Sequence, residues 1–332
     1  MPYPTRAEPL VIEARVKGES PRLDQFLAHQ LPEVSRSLIK KAIDADAVTV
    51  NDHPSKASYK VRGGDVIRVM LPDPGHDLPQ AEDIPLEILY EDEFLAVVNK
   101  PANMVVHPAK GNWSGTLVNA LQHHFSELST INGDYRPGIV HRLDRDTSGA
   151  ILVAKEEQTH RQLAMLFENR KMFKEYHAIT AGVLDRDSDY IEAAIGRHKF
   201  DRIKMVVADD DDEDAKDACS FYEVIERFRG HTYCRVQPKT GRTHQIRVHL
   251  ASVGCPVLAD KSYSGRDSIR LSDLAPSSPA IEDELLLDRQ ALHAHRIRFR
   301  HPRKGEWIEI AAPLPPDMAR TLAALRRYRP VR

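Results

Sequence analysis

Three short segments concentrate side chains whose types and spacing could do chemistry: HRLDRDTSG at 141–149, KEYHA at 174–178 and TGRTHQIRVH at 240–249. The first places Asp144 between Arg142 and Arg145 and sets this charged stretch between two apolar runs, Gly-Ile-Val and Ala-Ile-Leu-Val-Ala. An aspartate in such a loop ordinarily caps backbone amides. The sharper reading is a carboxylate held ionised and oriented by guanidinium groups, able to act as nucleophile or electrostatic partner at an electron-poor carbon. Arg242, taken alone, is a solvated residue near a helix start, and Tyr176, taken alone, a half-buried strand aromatic.

Other chemistries lack their residues. No GxxxxGK[ST] or GxGxxG occurs, and Ser148 sits in DTSGA, which is not a GxSxG nucleophile elbow. His244 and His249 stand at i, i+5, a spacing that points two ligands apart on a helix or a strand, so no metal site is expected. No organic cofactor is signalled.

The elements that must position these groups follow from periodicity. Ser20 and Pro21 read as cap and first residue of a helix over RLDQFLAHQL; Ser35 caps a second, SRSLIKKAI, with Leu38, Ala42 and Ile43 inward and Arg36, Lys40 and Lys41 outward. AVTVND and VRGGDVIRVML add strands. Residues 1–21 then read as a tail, 22–71 as a helix-helix-strand unit and 72–85, with its prolines and acids, as a linker. From Leu86 the chain becomes strand-rich: two strands in EILYEDEFLAVVNKP, a helix in TLVNALQHHF, strands in GIV and AILVAK flanking the Asp144 loop, a helix in EEQTHRQLAMLFENR, and strands in KEYHAITAG, FYEVIERF and HTYCRVQP. THQIRVHLASVGCP reads as a helix capped by Thr243. Few helices among many strands predict an α+β fold with a mixed, largely antiparallel sheet over 86–316 and a closing helix or tail at 317–332. The acidic run 209–214 reads as a solvated loop tip and the segment 267–287 as a surface insertion.

At 332 residues with a net charge of -2, the chain has room for two domains and no global basic field, so any nucleic-acid contact must come from local clusters. Cys219, Cys234 and Cys255 share no metal spacing, and neither a signal peptide nor a membrane-length apolar run is present, which predicts a cytoplasmic protein with reduced thiols.

HRLDRDTSGAILVAK resembles the signature of the RluA/RluC/RluD-type pseudouridine synthases. YEDEFLAVVNKPANMVVHP, KEYHAITAG, GRHKFDRIKMVV, TGRTHQIRVHLASVGCPVLAD and ALHAHRIRFRHPRKGEW resemble the family's other blocks, in the family's order. RLDQFL, SRSLIKK and VRGGDVI resemble the alpha-L (S-four-type) RNA-binding domain that often precedes them. The resemblance implies a cofactor-independent isomerase converting uridine to pseudouridine in RNA. It implies Asp144 as the catalytic aspartate, Arg242 as its ion-pair partner and Tyr176 as the active-site tyrosine. Arg142 would handle a flipped nucleotide, with His141 either beside it on the RNA or structural. Arg36, Lys40 and Lys41 would bind phosphates, and large-subunit ribosomal RNA would be the substrate of a monomeric enzyme. A transfer-RNA substrate, a silent RNA-binding scaffold and a nucleoside hydrolase are the rivals.

Overall fold

In a computed structural model of the chain, the described residues are 9–16, 20–31, 34, 36–70, 78–108, 112–133, 135–201, 204–208, 212, 214–275 and 283–331, without the side chains of 36–38 and 41. The chain forms two units, residues 1–79 with 133–135, and the remainder from Gln80.

The smaller unit runs β1 (Leu10–Glu13), α1 (Leu23–Gln30), α2 (Arg36–Asp44), β2 (Val48–Val50), β3 (His53–Pro54) and β4 (Val66–Val69). Its sheet has the order β1-β4-β2-β3, and Leu23, Leu27, Ile39, Ile43, Val48 and Ile67 close its core. Two expectations shift here. The predicted tail contains β1, which pairs four residues with β4. Helix α1 starts at Leu23, not at Pro21, because Arg22 is bridged to Lys60 and the Pro21 carbonyl accepts from Val61, which holds both residues extended. Lys40 is exposed on α2; Ser35 and the side chains of Arg36, Leu38 and Lys41 lie outside the described set.

The larger unit contains β5 (Glu87–Glu91), β6 (Leu95–Lys100), α3 (Leu117–His124), β7 (Ser148–Ala154), α4 (Glu157–Glu168), β8 (Phe173–Ala181) and β9 (Ser188–Glu192). There follow β10 (Ile195–Arg197), β11 (Met205–Val207), β12 (Cys219–Phe228), β13 (His231–Pro238), α5 (Gln245–Ser252), β14 (Ile269–Arg270) and α6 (Leu271–Leu274). β15 (Leu285–Leu287), β16 (Leu292–Arg300), β17 (Trp307–Ala311) and α7 (Pro316–Tyr328) complete it. The main sheet runs β5-β6-β7-β16-β8-β13-β12-β9, with β17 beside the far half of β16. Every pairing is antiparallel except β7 with β16. The α+β class with a mixed, largely antiparallel sheet is therefore what the structure has.

The period-two alternation explains why AILVAK is apolar throughout. Ile151 and Val153 pack with α3 residues Leu117 and Leu121, whereas Leu152 and Ala154 pack with Leu163 of α4, so both faces of β7 are covered. The GIV run forms no strand. β16 pairs with β7 only at Ser148 and Gly149, and farther along that edge Ile139 makes a single bridge to Val153. Gly149 is where β7 closes on β16: its φ is +113°, and a Cβ there would lie 2.2 Å from the Ala294 carbonyl oxygen.

The 267–287 segment is not a surface insertion in its described parts. Ile269, Leu274, Leu286 and Leu287 enter the same core as Met318, Leu322 and Leu325 of α7, because their apolar side chains find the buried face of that helix. Residues 276–282 lie outside the described set, as do 209–211 and 213 of the acidic run.

Burial makes eight imidazoles among the described residues harder to protonate: those of His160, His231, His244 and His249, and four shifted further. His107 and His293 are pushed down to about 4, and His141 and His177 to about 3, with desolvation the largest cause for each. The unfolded chain takes up these protons below pH 6.5 and the native chain does not, so stability present above pH 6.5 drains away as the pH falls toward 4. The urea midpoint is expected to drop steadily between pH 6.5 and 4.5, with net uptake of several protons on unfolding. A flat midpoint across that window would contradict the burial of these rings.

Candidate active site

The segment that follows the GIV run, residues 141–147, crosses the start of β7 and is pinned from beneath. Lys100 of β6, with no exposed surface, donates through Nζ to the carbonyls of Pro101 (2.7 Å), Met104 (2.9 Å) and Arg145 (3.0 Å). Burial lowers this ammonium to about 7, while the three carbonyls use all three of its N–H bonds. From the other side Arg289, clamped by Asp317, donates to the Asp146 carbonyl, and Gln290 donates to the Thr147 hydroxyl. Lys100→Met would leave the buried Met104 carbonyl unpaired and cut the ties to the Pro101 and Arg145 carbonyls, at a cost on the order of 3 kcal/mol. The expected outcome is a lower urea midpoint together with faster amide exchange at 142–147. Unchanged exchange would remove Lys100 from the support of this loop.

Asp144 projects from the pinned loop into a cleft of about 880 Å³ that is also lined by Tyr176, Lys174, Arg242 and Arg247. Its partner is Arg247, not Arg242: Arg247 Nη1 donates to Asp144 Oδ2 at 2.9 Å. Arg242 lines the cleft but donates through Nε to the Asp217 carbonyl at 3.1 Å. The reason lies in the local fold. Helix α5 starts at Gln245, capped not by Thr243 but by His244, which lies in the left-handed region at φ 55°. Arg242 therefore belongs to the preceding turn, while Arg247 sits on the helix and faces Asp144. The turn is pinned by Gln245, whose Oε1 accepts from Thr240 Oγ1 (2.6 Å) and the Arg242 amide (3.0 Å), and whose Nε2 donates to the Cys219 carbonyl and Ser220 Oγ.

Arg247 is itself held by a second acid. Its Nε and Nη2 donate to the two carboxylate oxygens of Asp260 at 2.6 and 2.9 Å, and its guanidinium stands 5.1 Å from the Tyr263 ring centroid. The Asp260 side chain is 0% exposed and that of Arg247 7%, whereas Asp144 keeps 21% toward the cleft. One guanidinium fork thus spends two N–H bonds on a buried anchor and offers a third to the accessible carboxylate, an arrangement a lysine could not reproduce. The two carboxylates keep Arg247 firmly protonated against the burial that opposes it.

Tyr176 projects into the same cleft from β8, and burial, with the Asp144 charge second, pushes its phenol far up. At neutral pH it is a protonated ring that can stack and donate. His141 is turned to the structure: its Nε2 accepts from the Leu152 amide at 2.9 Å and its ring stacks on Phe167. It still lines the cleft, with the nitrogen available to a ligand reduced to Nδ1. Arg142 is exposed at the cleft with no hydrogen-bond or ion-pair partner among the described residues, and Arg145 pairs with Asp146 at the surface rather than with Asp144.

Neither histidine of the 240–249 segment is placed to bind a metal in common. His249 uses Nδ1 on Ser220 and Nε2 on the Ala193 carbonyl, and His244 bonds the Tyr263 hydroxyl. On the opposite face of β8, Glu175, His177 and His295 come together, but the two rings lie 4.0 Å apart and only 25° from parallel, so their lone pairs do not converge. Both Glu175 oxygens are already taken by Arg296.

Residues 94–252 match the RNA pseudouridylate synthase family and residues 21–67 the S4 domain. A Bacillus subtilis protein named as an uncharacterized RNA pseudouridine synthase, YlyB, is 42% identical over 95% of this chain and 98% of its own length. This chain belongs to the RNA pseudouridine synthase family. Ribosomal large subunit pseudouridine synthase D of Nitrosomonas europaea is 42% identical to this synthase over 92% of this chain and 84% of that protein. Its counterpart in Haemophilus influenzae is 39% identical over 96% and 95%. Among solved structures, human RNA pseudouridylate synthase domain containing 1 superposes with a TM-score of 0.54 at 25% identity, covering 74% of this synthase and 96% of that chain.

Sequence reasoning missed Arg247 and its anchor Asp260. Arg247 stood five residues beyond Arg242, on the helix that the pattern predicted, but nothing in the spacing said which of the two faces Asp144. Asp260 gave no signal, since nothing in LAD marks a buried counter-charge.

Proposed function

We propose that this synthase converts uridines of large-subunit ribosomal RNA to pseudouridine, with Asp144 as its catalytic carboxylate and the target nucleotide flipped out of the RNA. Relatives covering nearly the whole chain carry the large-subunit name, which supports the substrate class. The observation that carries the assignment of chemistry is the 2.9 Å pair of Arg247 with a carboxylate that remains open to a cleft shared with Tyr176.

Pseudouridine formation breaks the bond from ribose C1′ to uracil N1, turns the base and rejoins C1′ to C5. A glycosidase needs a second carboxylic acid to protonate a poor leaving group. Uracil leaves as an anion delocalised over two carbonyls, so a single carboxylate acting on the ribose suffices. Asp144 is that carboxylate, and Arg247 aims it. Tyr176 stacks on the base; held protonated, its phenol is not a ready base for the C5 proton at neutral pH. A stem uridine reaches Asp144 only by leaving its stack, at a cost of a few kcal/mol, and the exposed Arg142 at the cleft is placed to fill the gap.

The test is tritium release from uridine-5-labelled ribosomal RNA transcribed without modification. Release by the wild type, one tritium per pseudouridine formed, is the expected result. No release from ribosomal or transfer RNA would overturn the assignment, and release confined to small-subunit or transfer RNA would overturn the substrate class.

A further inference from the structure

Lys174 is a cleft residue that the chemistry so far leaves unused. It lies two positions before Tyr176 on β8, so strand alternation sends both side chains to the same face, roughly 7 Å apart along the strand. Both line the Asp144 cleft. The ammonium of Lys174 makes one long hydrogen bond, 3.4 Å to the Thr240 carbonyl, and stands 5.8 Å from the Phe167 ring centroid. No carboxylate pairs with it among the described residues. The neighbouring acid Glu175 points to the other face and is committed to Arg296. A half-buried cation with most of its donors unspent is costly for the free enzyme, and something that enters the cleft must repay that cost.

Two parts of the substrate could do so, the backbone phosphate or the base. Location separates them. The strand entering and leaving the cleft must keep its phosphates near solvent, where Arg142, Arg170, Lys171 and Lys239 stand exposed around the cleft. Lys174 is withdrawn behind them on the sheet, beside the tyrosine that faces the base. We propose that the Lys174 ammonium donates to a carbonyl oxygen of the flipped uracil and neutralises the charge the base acquires as the bond to ribose breaks. This inference rests on the reading of the cleft as a uridine site. In the step, the C1′–N1 bond breaks and its electron pair stays on uracil, spread over N1 and the two carbonyl oxygens. Lys174 keeps its proton throughout and only strengthens its hydrogen bond. When C5 joins C1′ the ring becomes neutral; the C5 proton is then lost to solvent and N1 takes up a proton, which restores the neutral base. A contact stronger in the transition state than in the ground state raises the rate rather than the affinity.

Burial pulls this ammonium down to about 8, which supplies a signature that a merely structural lysine would lack. The experiment measures single-turnover tritium release and RNA affinity for the wild type, Lys174→Met and Lys174→Arg, from pH 6 to 10 and across a range of KCl. The expected result for Lys174→Met is a loss of roughly 100-fold in the saturated rate, with affinity and salt slope unchanged. The wild-type rate should fall above pH 8, and Lys174→Arg should restore part of the rate and hold it at least one pH unit higher. A weakened affinity with the salt slope reduced by about one and an intact saturated rate would make Lys174 a phosphate ligand and overturn the proposal. So would a saturated rate of Lys174→Met equal to that of the wild type. If Lys174→Met fails to fold by circular dichroism, the arginine variant decides: a folded, active enzyme whose rate falls at the wild-type pH sinks the idea. Absence of tritium release by the wild type would be a failure of the uridine-site reading, not of the role of Lys174.

Discussion

Asp144→Asn should lower the saturated rate of pseudouridine formation by roughly 10,000-fold or more, about 5.5 kcal/mol of transition-state stabilisation, with RNA affinity nearly intact. The substitution keeps the side-chain volume and an oxygen that can still accept from Arg247 Nη1. What it removes is the charge that acts on the ribose. Because Asp144 is partly open to the cleft while Asp260 holds Arg247 by two bonds, the guanidinium stays anchored and the fold should survive. Urea denaturation should therefore place the variant within about 1 kcal/mol of the wild type. Single-turnover tritium release reads the rate directly. Activity within tenfold of the wild type would show that the carboxylate does no chemistry, and the account of the cleft would fail with it.

Arg247 should behave differently, because it serves two masters. Arg247→Met removes the only ion-pair partner described for Asp260, whose side chain has no exposed surface, and an uncompensated buried charge of this kind costs about 3–5 kcal/mol. The same substitution frees Asp144 to adopt unproductive rotamers. Loss of stability and loss of activity are both expected, which by itself would not separate structure from function. The double variant Arg247→Met with Asp260→Leu separates them. Replacing the buried pair by apolar groups should recover most of the stability, while activity stays at least about 100-fold down because nothing aims Asp144. Recovery of both would reduce Arg247 to a folding element. Arg242→Ala is the contrast: its guanidinium bonds one carbonyl of an exposed residue, so stability should change by less than about 1 kcal/mol.

These contrasts also show where the sequence was legible. The central strands of the main sheet could be read because the local pattern agrees with the final environment: LAVVNK, AILVAK and KEYHAITAG carry runs of the length and residue type a covered strand requires. Asp144 stood out as a charged group between apolar runs, whereas Tyr176 read alone as a strand aromatic and gained its role only through the family resemblance. The helix start at α5 was misplaced because its cap is a left-handed His244, with Gln245 folding its amide back over the turn, and no capping pattern announces that. The segment at 267–287 was read as surface because its apolar residues lie among charges. Its burial depends on α7, which arrives from beyond residue 315.

From its letters alone, the protein was legible as a largely antiparallel α+β enzyme, with the aspartate we propose as catalytic in the loop before β7. Short-range periodicity and an uninterrupted block of motif residues carry that information locally. Which arginine meets Asp144 was decided only in three dimensions. Arg247 and Asp260 lie more than a hundred residues downstream of Asp144, and they meet it because α5 and the turn after it pack against the sheet at that place. The same holds for Lys100 under the loop and Lys174 beside the tyrosine. A charged side chain's role depends on what is left to pair with it once the backbone has closed, and that is a property of the fold, not of any stretch of chain.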